Sequence, residues 1–222
     1  MILQARLDAF KNDFETGKPP YNVPPAVIEI MHRATDELIE SGAAAHALKA
    51  GDKAPLFTLK DPQGHLVSSA DLLLQGPLVL SFYRGVWCPY CNMELQALEE
   101  IRPVFQTLGA SLIAISPQTA PNSRKSMRQN SLNFPILSDT HNSVAAAFGL
   151  RFALPDYLVD LYQSLKNDLP LFNGDESWTL PMPARYVIDQ QGTIIYAEVN
   201  PDYTRRPDPE DMLPSLRRVR GL

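Results

Sequence analysis

The chain has 222 residues, 45% of them apolar, and a formal net charge of −5 with both signs interspersed. That is enough apolar material for one large core plus an appendage, and it excludes the basic footprint of a nucleic-acid binder. No stretch is long enough to span a bilayer, and Met1–Asp8 lacks the basic-then-apolar order of a secretory signal, so neither a membrane partner nor secretion is expected.

Residues 1–47 read as an N-terminal helical extension. Leu3, Leu7, Phe10 and Phe14 line one face of a first helix, and Lys18-Pro19-Pro20 breaks it. Pro24-Pro25 opens a second helix with Val27, Ile30, Met31, Ala34 and Leu38 inward, stopped near Gly42. This extension is expected to pack on the main domain or on a second subunit, as in a homodimer. His32 and His46 have no partner at ligand spacing and read as surface or satisfied residues.

The main domain is expected over 48–222, with a helical insert at about 151–180. Residues 55–59 and 65–67 flank Asp61-Pro62-Gln63-Gly64 as strand, turn and strand. A buried strand at 78–83, a helix at 88–108 and a strand at 111–116 then form a right-handed βαβ unit. A polar helix follows at 122–131. Phe134-Pro135-Ile136-Leu137 is a short strand whose proline argues for a sheet edge. Val144–Phe148 is a short helix capped by Gly149, and Leu154–Leu165 holds helical spacing over three turns. A hairpin around Asp189-Gln190-Gln191-Gly192 and a closing helix at 208–220, basic at its end, complete the chain. The expected fold is α/β, a mixed sheet with helices on both faces.

Both cysteines of the protein lie in Trp87-Cys88-Pro89-Tyr90-Cys91, where a strand hands over to the first turn of a helix. Unpaired N–H groups and the helix dipole favour a thiolate there. Three positions apart, the two thiols can approach disulfide range, so one can attack and the other resolve. Inert packing of two buried cysteines is the bland alternative. Zinc needs four ligands and no further cysteine exists; copper would need His141 to reach the pair. The expectation is redox chemistry with no metal and no cofactor, in a reducing, cytoplasmic setting.

Further stretches sharpen this. Gly51-Asp52-Lys53-Ala54-Pro55-Leu56-Phe57, Phe82-Tyr83, Gly109-Ala110, Ala114-Ile115-Ser116 and Phe134–Asp139 resemble peroxiredoxins of the alkyl hydroperoxide reductase/thiol-specific antioxidant family, with a thioredoxin-like fold. The similarity covers about residues 50–150 and resumes at 184–200. Laid from Phe82-Tyr83 without gaps, the family's T-x-x-C puts Cys91 at the peroxidatic position and Cys88 at the threonine; Glu94 falls on the acidic position of C-x-x-E-L. Trp87-Cys88-Pro89-Tyr90-Cys91 equally resembles the W-C-x-x-C of thioredoxins, where the first cysteine attacks. Peroxiredoxins carry an arginine six residues before the aspartate of the hairpin turn. Here that place is Pro183, which is similar to the cis-proline of thioredoxin-like proteins, and Arg185 follows on the same strand face. Arg185 and Arg84 are the nearby cationic candidates.

The resemblance implies a hydroperoxide reductase. Cys91 would attack the peroxide, Cys88 would close a disulfide, and a thioredoxin-like protein or small thiol would reopen it. Trp87, Glu94, Pro183, Arg185 and Arg84 would support the pair. A thiol–disulfide oxidoreductase with Cys88 attacking, and a non-enzymatic redox-sensing or binding module, stay open beside it.

Overall fold

The periodicities above become elements largely where they are expected. In the computed structural model, which describes residues 2–221, α1 (Leu3–Glu15) and α2 (Pro25–Glu40) come first. β1 (Thr58–Lys60) and β2 (Leu66–Ser68) form the first hairpin. β3 (Leu78–Phe82), α4 (Pro89–Thr107) and β4 (Ser111–Ser116) make the βαβ unit, with the two strands paired in parallel. Between β2 and β3 lies α3 (Ser69–Gln75), which the sequence reading missed. It is a short helix opened by the Ser68 side chain, which accepts from Asp71 N–H. α5 (Ala120–Gln129), β5 (Ile136–Ser138) and α6 (Ser143–Ala147) follow.

The 151–180 stretch is more than a helix. β6 (Arg151–Ala153) and β7 (Thr179–Pro181) pair as a small antiparallel sheet, and α7 (Asp156–Ser164) and α8 (Leu169–Asn173) lie between them. β8 (Ala184–Ile188), β9 (Ile194–Val199) and α9 (Leu213–Arg220) close the chain. The main sheet runs β2-β1-β5-β4-β3-β8-β9.

That order corrects one expectation. β5 is interior, parallel to β4 and antiparallel to β1, and is no edge strand. Pro135 stands just outside it, where its missing N–H removes no ladder bond, and the Pro135 carbonyl still accepts from Ala114 N–H.

Period-two alternation divides the core into two layers. Leu78, Leu80 and Phe82 of β3, with Ala184, Tyr186 and Ile188 of β8, face Phe148 and Leu150 on one side. Val79, Tyr83 and Val187 face the other side, which holds α4, both cysteines and Leu3 and Leu7 of α1. A third cluster joins α7 to Val27, Ile30, Met31 and Ala34 of α2. The first helix is therefore part of the layer that contains the thiols, and the second closes over the adjoining insert.

Residues 46–48 are clamped to the end of α6. Leu48 N–H donates to the Phe148 carbonyl, and a Cβ on Gly149 would sit 2.4 Å from the His46 carbonyl oxygen. Gly149 also has φ +74, in the left-handed region. Gly149→Ala is expected to lower the urea unfolding free energy by at least about 1–2 kcal/mol from the backbone conformation alone. An unchanged midpoint would show that the clamp contributes nothing. No described helix is long and apolar enough to cross a membrane.

Candidate active site

β3 carries the chain into the core and delivers Tyr83 and Arg84 to its C-terminal end, both buried. The turn that follows depends on Gly85, whose φ of +153 is compatible with glycine. A Cβ there would meet the Trp87 indole nitrogen at 2.5 Å, so Gly85 is what lets the indole fold back over the turn. Gln118, itself fully buried, holds the turn from below. Its Oε1 accepts from Val86 N–H at 2.9 Å and its Nε2 donates to Tyr83 Oη. Asn92 Nδ2 donates to the Val86 carbonyl at 2.8 Å from the other side. The loop ahead of the cysteines is thus fixed by two side chains, Gln118 from the β4–α5 loop and Asn92 from α4.

Cys88 is the N-cap of α4, Pro89 occupies the first turn, and Cys91 follows inside it. Both sulfurs are reduced and buried, with 1% and 0% of the residues exposed. Burial works against charge on Cys88, but the Cys91 S–H donating to it, the Arg84 cation and the Cys91 backbone N–H outweigh burial. They bring Cys88 down to about 6. Cys91 is pushed well up by burial, by giving its proton to Cys88 and by the charge there, against the pull of Arg206 and Arg84. The pair therefore shares one proton, with the thiolate resting on Cys88.

Two guanidiniums flank the pair. Arg84 is 4% exposed and lies between two aromatic rings, 4.7 Å from the Trp87 centroid and 4.0 Å from that of Tyr203, and it donates to Tyr162 Oη. Its Nε–H is buried without a partner. On the other side, Arg206 Nη2 lies 4.0 Å from Cys91 Sγ. Arg206 Nε donates to Glu94 Oε2 at 2.6 Å, and Glu94 Oε1 lies 3.4 Å from Arg185 Nε. Arg185 is completely buried and also faces Glu198, whose carboxyl burial pushes up to about 7 against the pull of Arg185. Glu94 and the two arginines form a buried triad with one cation aimed at Cys91.

A cavity of about 210 Å³ opens on Cys88. Phe10, Phe14, Val27 and Met31 of the N-terminal helices line its far wall; Arg84, Trp87, Tyr162 and Tyr203 line the near one. Cys91 does not reach it.

Residues 50–197 match the AhpC/TSA family. The chain belongs to that family. Among relatives, it is 30% identical over 115 residues to the thiol-disulfide oxidoreductase ResA of Geobacillus thermodenitrificans, covering 51% of this chain and 65% of that protein. It is 29% identical over 146 residues to the chloroplastic peroxiredoxin Q of Oryza sativa subsp. japonica, covering 66% of this chain and 57% of that protein. The crystal structure of peroxidoxin BcpB from Mycobacterium tuberculosis superposes with a TM-score of 0.61 at 23% identity, over 79% of this chain and 98% of that one. That likeness fixes the thioredoxin-like fold.

The family match contains both cysteines, Trp87, Arg84, Glu94, Pro183 and Arg185, but neither the N-terminal helices nor Arg206. Of these, Arg84 and Trp87 do stand at the pair, while Arg185 points at Glu94 and Glu198. Arg206 escaped the sequence reading. It lies in the irregular run Asn200–Pro207, whose one signal is an Arg-Arg pair before proline. Pro183 does not fulfil its expectation: among the described residues the cis bond is Pro19–Pro20, and Met182–Pro183 is trans. The backbone there is already engaged, with Met182 N–H donating to the Leu150 carbonyl and Asn200 N–H to the Pro183 carbonyl. The trans bond removes the argument for a partner-docking edge there. His141 pairs with Asp175 at 3.7 Å.

Proposed function

We propose that the chain reduces hydroperoxides through the Cys88–Cys91 pair, at the expense of a thiol reductant. The observation that carries this reading is a pair of buried thiols, one helical turn apart, with Arg206 beside Cys91 and Arg84 beside Cys88 in one cavity lining. A thiolate sulfur takes the terminal peroxide oxygen, the O–O bond breaks, and its electron pair leaves on the alkoxide, which takes a proton to become ROH. The sulfenic acid condenses with the second thiol, releasing water and closing the disulfide. Two equivalents of thiol, from a thioredoxin-like protein or a small molecule, restore the pair. A reducing compartment suits this cycle.

The resting geometry favours Cys88 as the first nucleophile, since it holds the thiolate and lines the cavity. Cys91 then supplies the resolving thiol. The opposite order, which alignment to the family motif gives, has its own support in Arg206 beside Cys91 Sγ. Both orders end in the same disulfide. Peroxide consumption by the full chain with dithiothreitol as reductant tests the reading, and the absence of consumption by either order would end it.

The pH dependence tests the charge assignment separately. The Cys88 thiolate is protonated as pH falls through about 6, three pH units below an ordinary thiol at 9.0. Alkylation of Cys88 by iodoacetamide should therefore rise from acid pH and level off above that midpoint. A midpoint near the ordinary thiol value would remove the thiolate from the resting state.

A further inference from the structure

The second thiol of the pair has to give up its proton in the middle of the cycle. Once Cys88 is a sulfenic acid or a mixed disulfide, its charge is gone and it no longer accepts the Cys91 proton. Burial still opposes ionisation of Cys91, and the groups that favour it are Arg206 first and Arg84 second. Tyr83 and Tyr162, the other titratable side chains facing the sulfur, are pushed up by burial and stay neutral.

Arg206 is 2% exposed and held from several sides. Its Nε donates to Glu94 Oε2 at 2.6 Å and its Nη1 to the Arg205 carbonyl at 2.6 Å, which leaves Nη2 to reach Cys91 Sγ at 4.0 Å. Its backbone is held by α1. Arg206 N–H donates to Gln4 Oε1 at 2.7 Å, while Gln4 Nε2 donates to Asp8 Oδ1 at 2.8 Å and to the Thr204 carbonyl at 3.4 Å. One amide therefore grips residues 204 and 206 of a segment that has no helix or strand of its own.

We infer that Arg206 is a catalytic residue of disulfide closure, acting on Cys91 as the resolving thiolate, and that Gln4 of α1 is the residue that positions it. The inference rests on the thiol cycle proposed above, with Cys88 attacking first, and adds a residue for its second half. Both residues lie outside the segment that matches the family. In the closing step the Cys91 electron pair forms the S–S bond to Cys88. Hydroxide leaves the Cys88 sulfenic acid and departs as water with the Cys91 proton. On reduction, a thiolate that attacks Cys88 expels Cys91 as a thiolate, into the field of the same guanidinium.

The test uses dipyridyl disulfide on the full chain, so that no peroxide is needed. The reagent forms a mixed disulfide on Cys88 and releases one equivalent of pyridinethione. Attack of Cys91 on the Cys88 sulfur then releases the second. Arg206→Met should slow the second release at least about tenfold more than the first, and raise its pH midpoint by at least about one unit. Arg206→Lys, which restores a cation, should recover part of both. Gln4→Ala, with the guanidinium still present, should slow the second release about two- to tenfold, the effect of one lost hydrogen bond. Equal slowing of both releases by Arg206→Met, or a slower second release at an unmoved pH midpoint, would reduce Arg206 to a structural role and overturn the inference. A first release mapped to Cys91 would overturn it as well, by reversing the order of the thiols. Wild-type rates in Gln4→Ala would remove the positioning role. If Arg206→Met does not fold, Arg206→Lys and Gln4→Ala decide by the same criteria. Peroxide consumption is measured separately. Its absence in a chain whose second release shifts as expected would end the peroxidase reading and keep the inference; consumption alongside an unshifted second release would do the reverse.

Discussion

Cys88→Ser is expected to lose peroxide consumption by at least about 10³-fold, the usual consequence of removing a nucleophile. Cys91→Ser should instead consume peroxide once and stall as a sulfenic acid on Cys88. The asymmetry follows from the resting pair, in which Cys88 holds the charge and the cavity while Cys91 holds the proton. Under excess hydrogen peroxide, wild type should accumulate an internal disulfide with little sulfinate. Resolution needs only a rearrangement of one helical turn and should outrun a second oxidation. Cys91→Ser lacks that escape and should accumulate sulfinate on Cys88 at the same dose. Intact-mass and peptide mapping distinguish the outcomes. Sulfenic acid found on Cys91 of the Cys88→Ser protein would establish the opposite order. Equal sulfinate in wild type and Cys91→Ser would show that no internal resolution takes place.

Glu94→Leu should be among the most destabilising single changes in the molecule. Glu94 is 2% exposed and is the shared carboxylate of two buried guanidiniums, those of Arg185 and Arg206. Removing it leaves two cations in the core facing each other across a hydrocarbon side chain. Breaking a buried ion pair from one side costs about 3–5 kcal/mol. For a chain of this size that corresponds to a fall in melting temperature of roughly 10 °C. Adding Arg206→Met to Glu94→Leu should recover part of the loss, because one uncompensated charge disappears with it. A Glu94→Leu protein that melts within about 2 °C of wild type would mean that the triad is solvated and carries little energy.

What the sequence made legible is what local physics decides. The apolar run 78–82, the cysteine spacing and the three-and-four recurrence of Leu95, Leu98 and Ile101 each act within a few residues. β3, the N-cap thiol and α4 could be placed from them. Arg206 could not, because nothing near it signals burial; its partner Glu94 is 112 positions away. The same holds for the interior position of β5, which rests on pairing with a strand near residue 60. Pro183 misled for a different reason: it was placed by its distance from the hairpin turn alone, and the Met182–Pro183 bond is trans. The wall of the cavity on Cys88 was half visible, as the inward faces of two helices, without any sign of what they face.

The first turn of α1 meets the segment ahead of α9 that carries the cation beside Cys91. Leu3 N–H donates to Asp208 Oδ1 at 3.0 Å, and Arg206 N–H donates to Gln4 Oε1 at 2.7 Å. The first turn of α1 is thereby fastened to the segment that supplies the cation beside Cys91. Cutting the protein back to the stretch shared with its family would preserve both sulfurs, their spacing and the sheet beneath them. It would also strip away Arg206 and the α1 and α2 side of the cavity on Cys88 in a single excision. Both sulfurs lie inside the shared stretch, whereas Arg206 and the α1 and α2 side chains that line the cavity on Cys88 lie outside it.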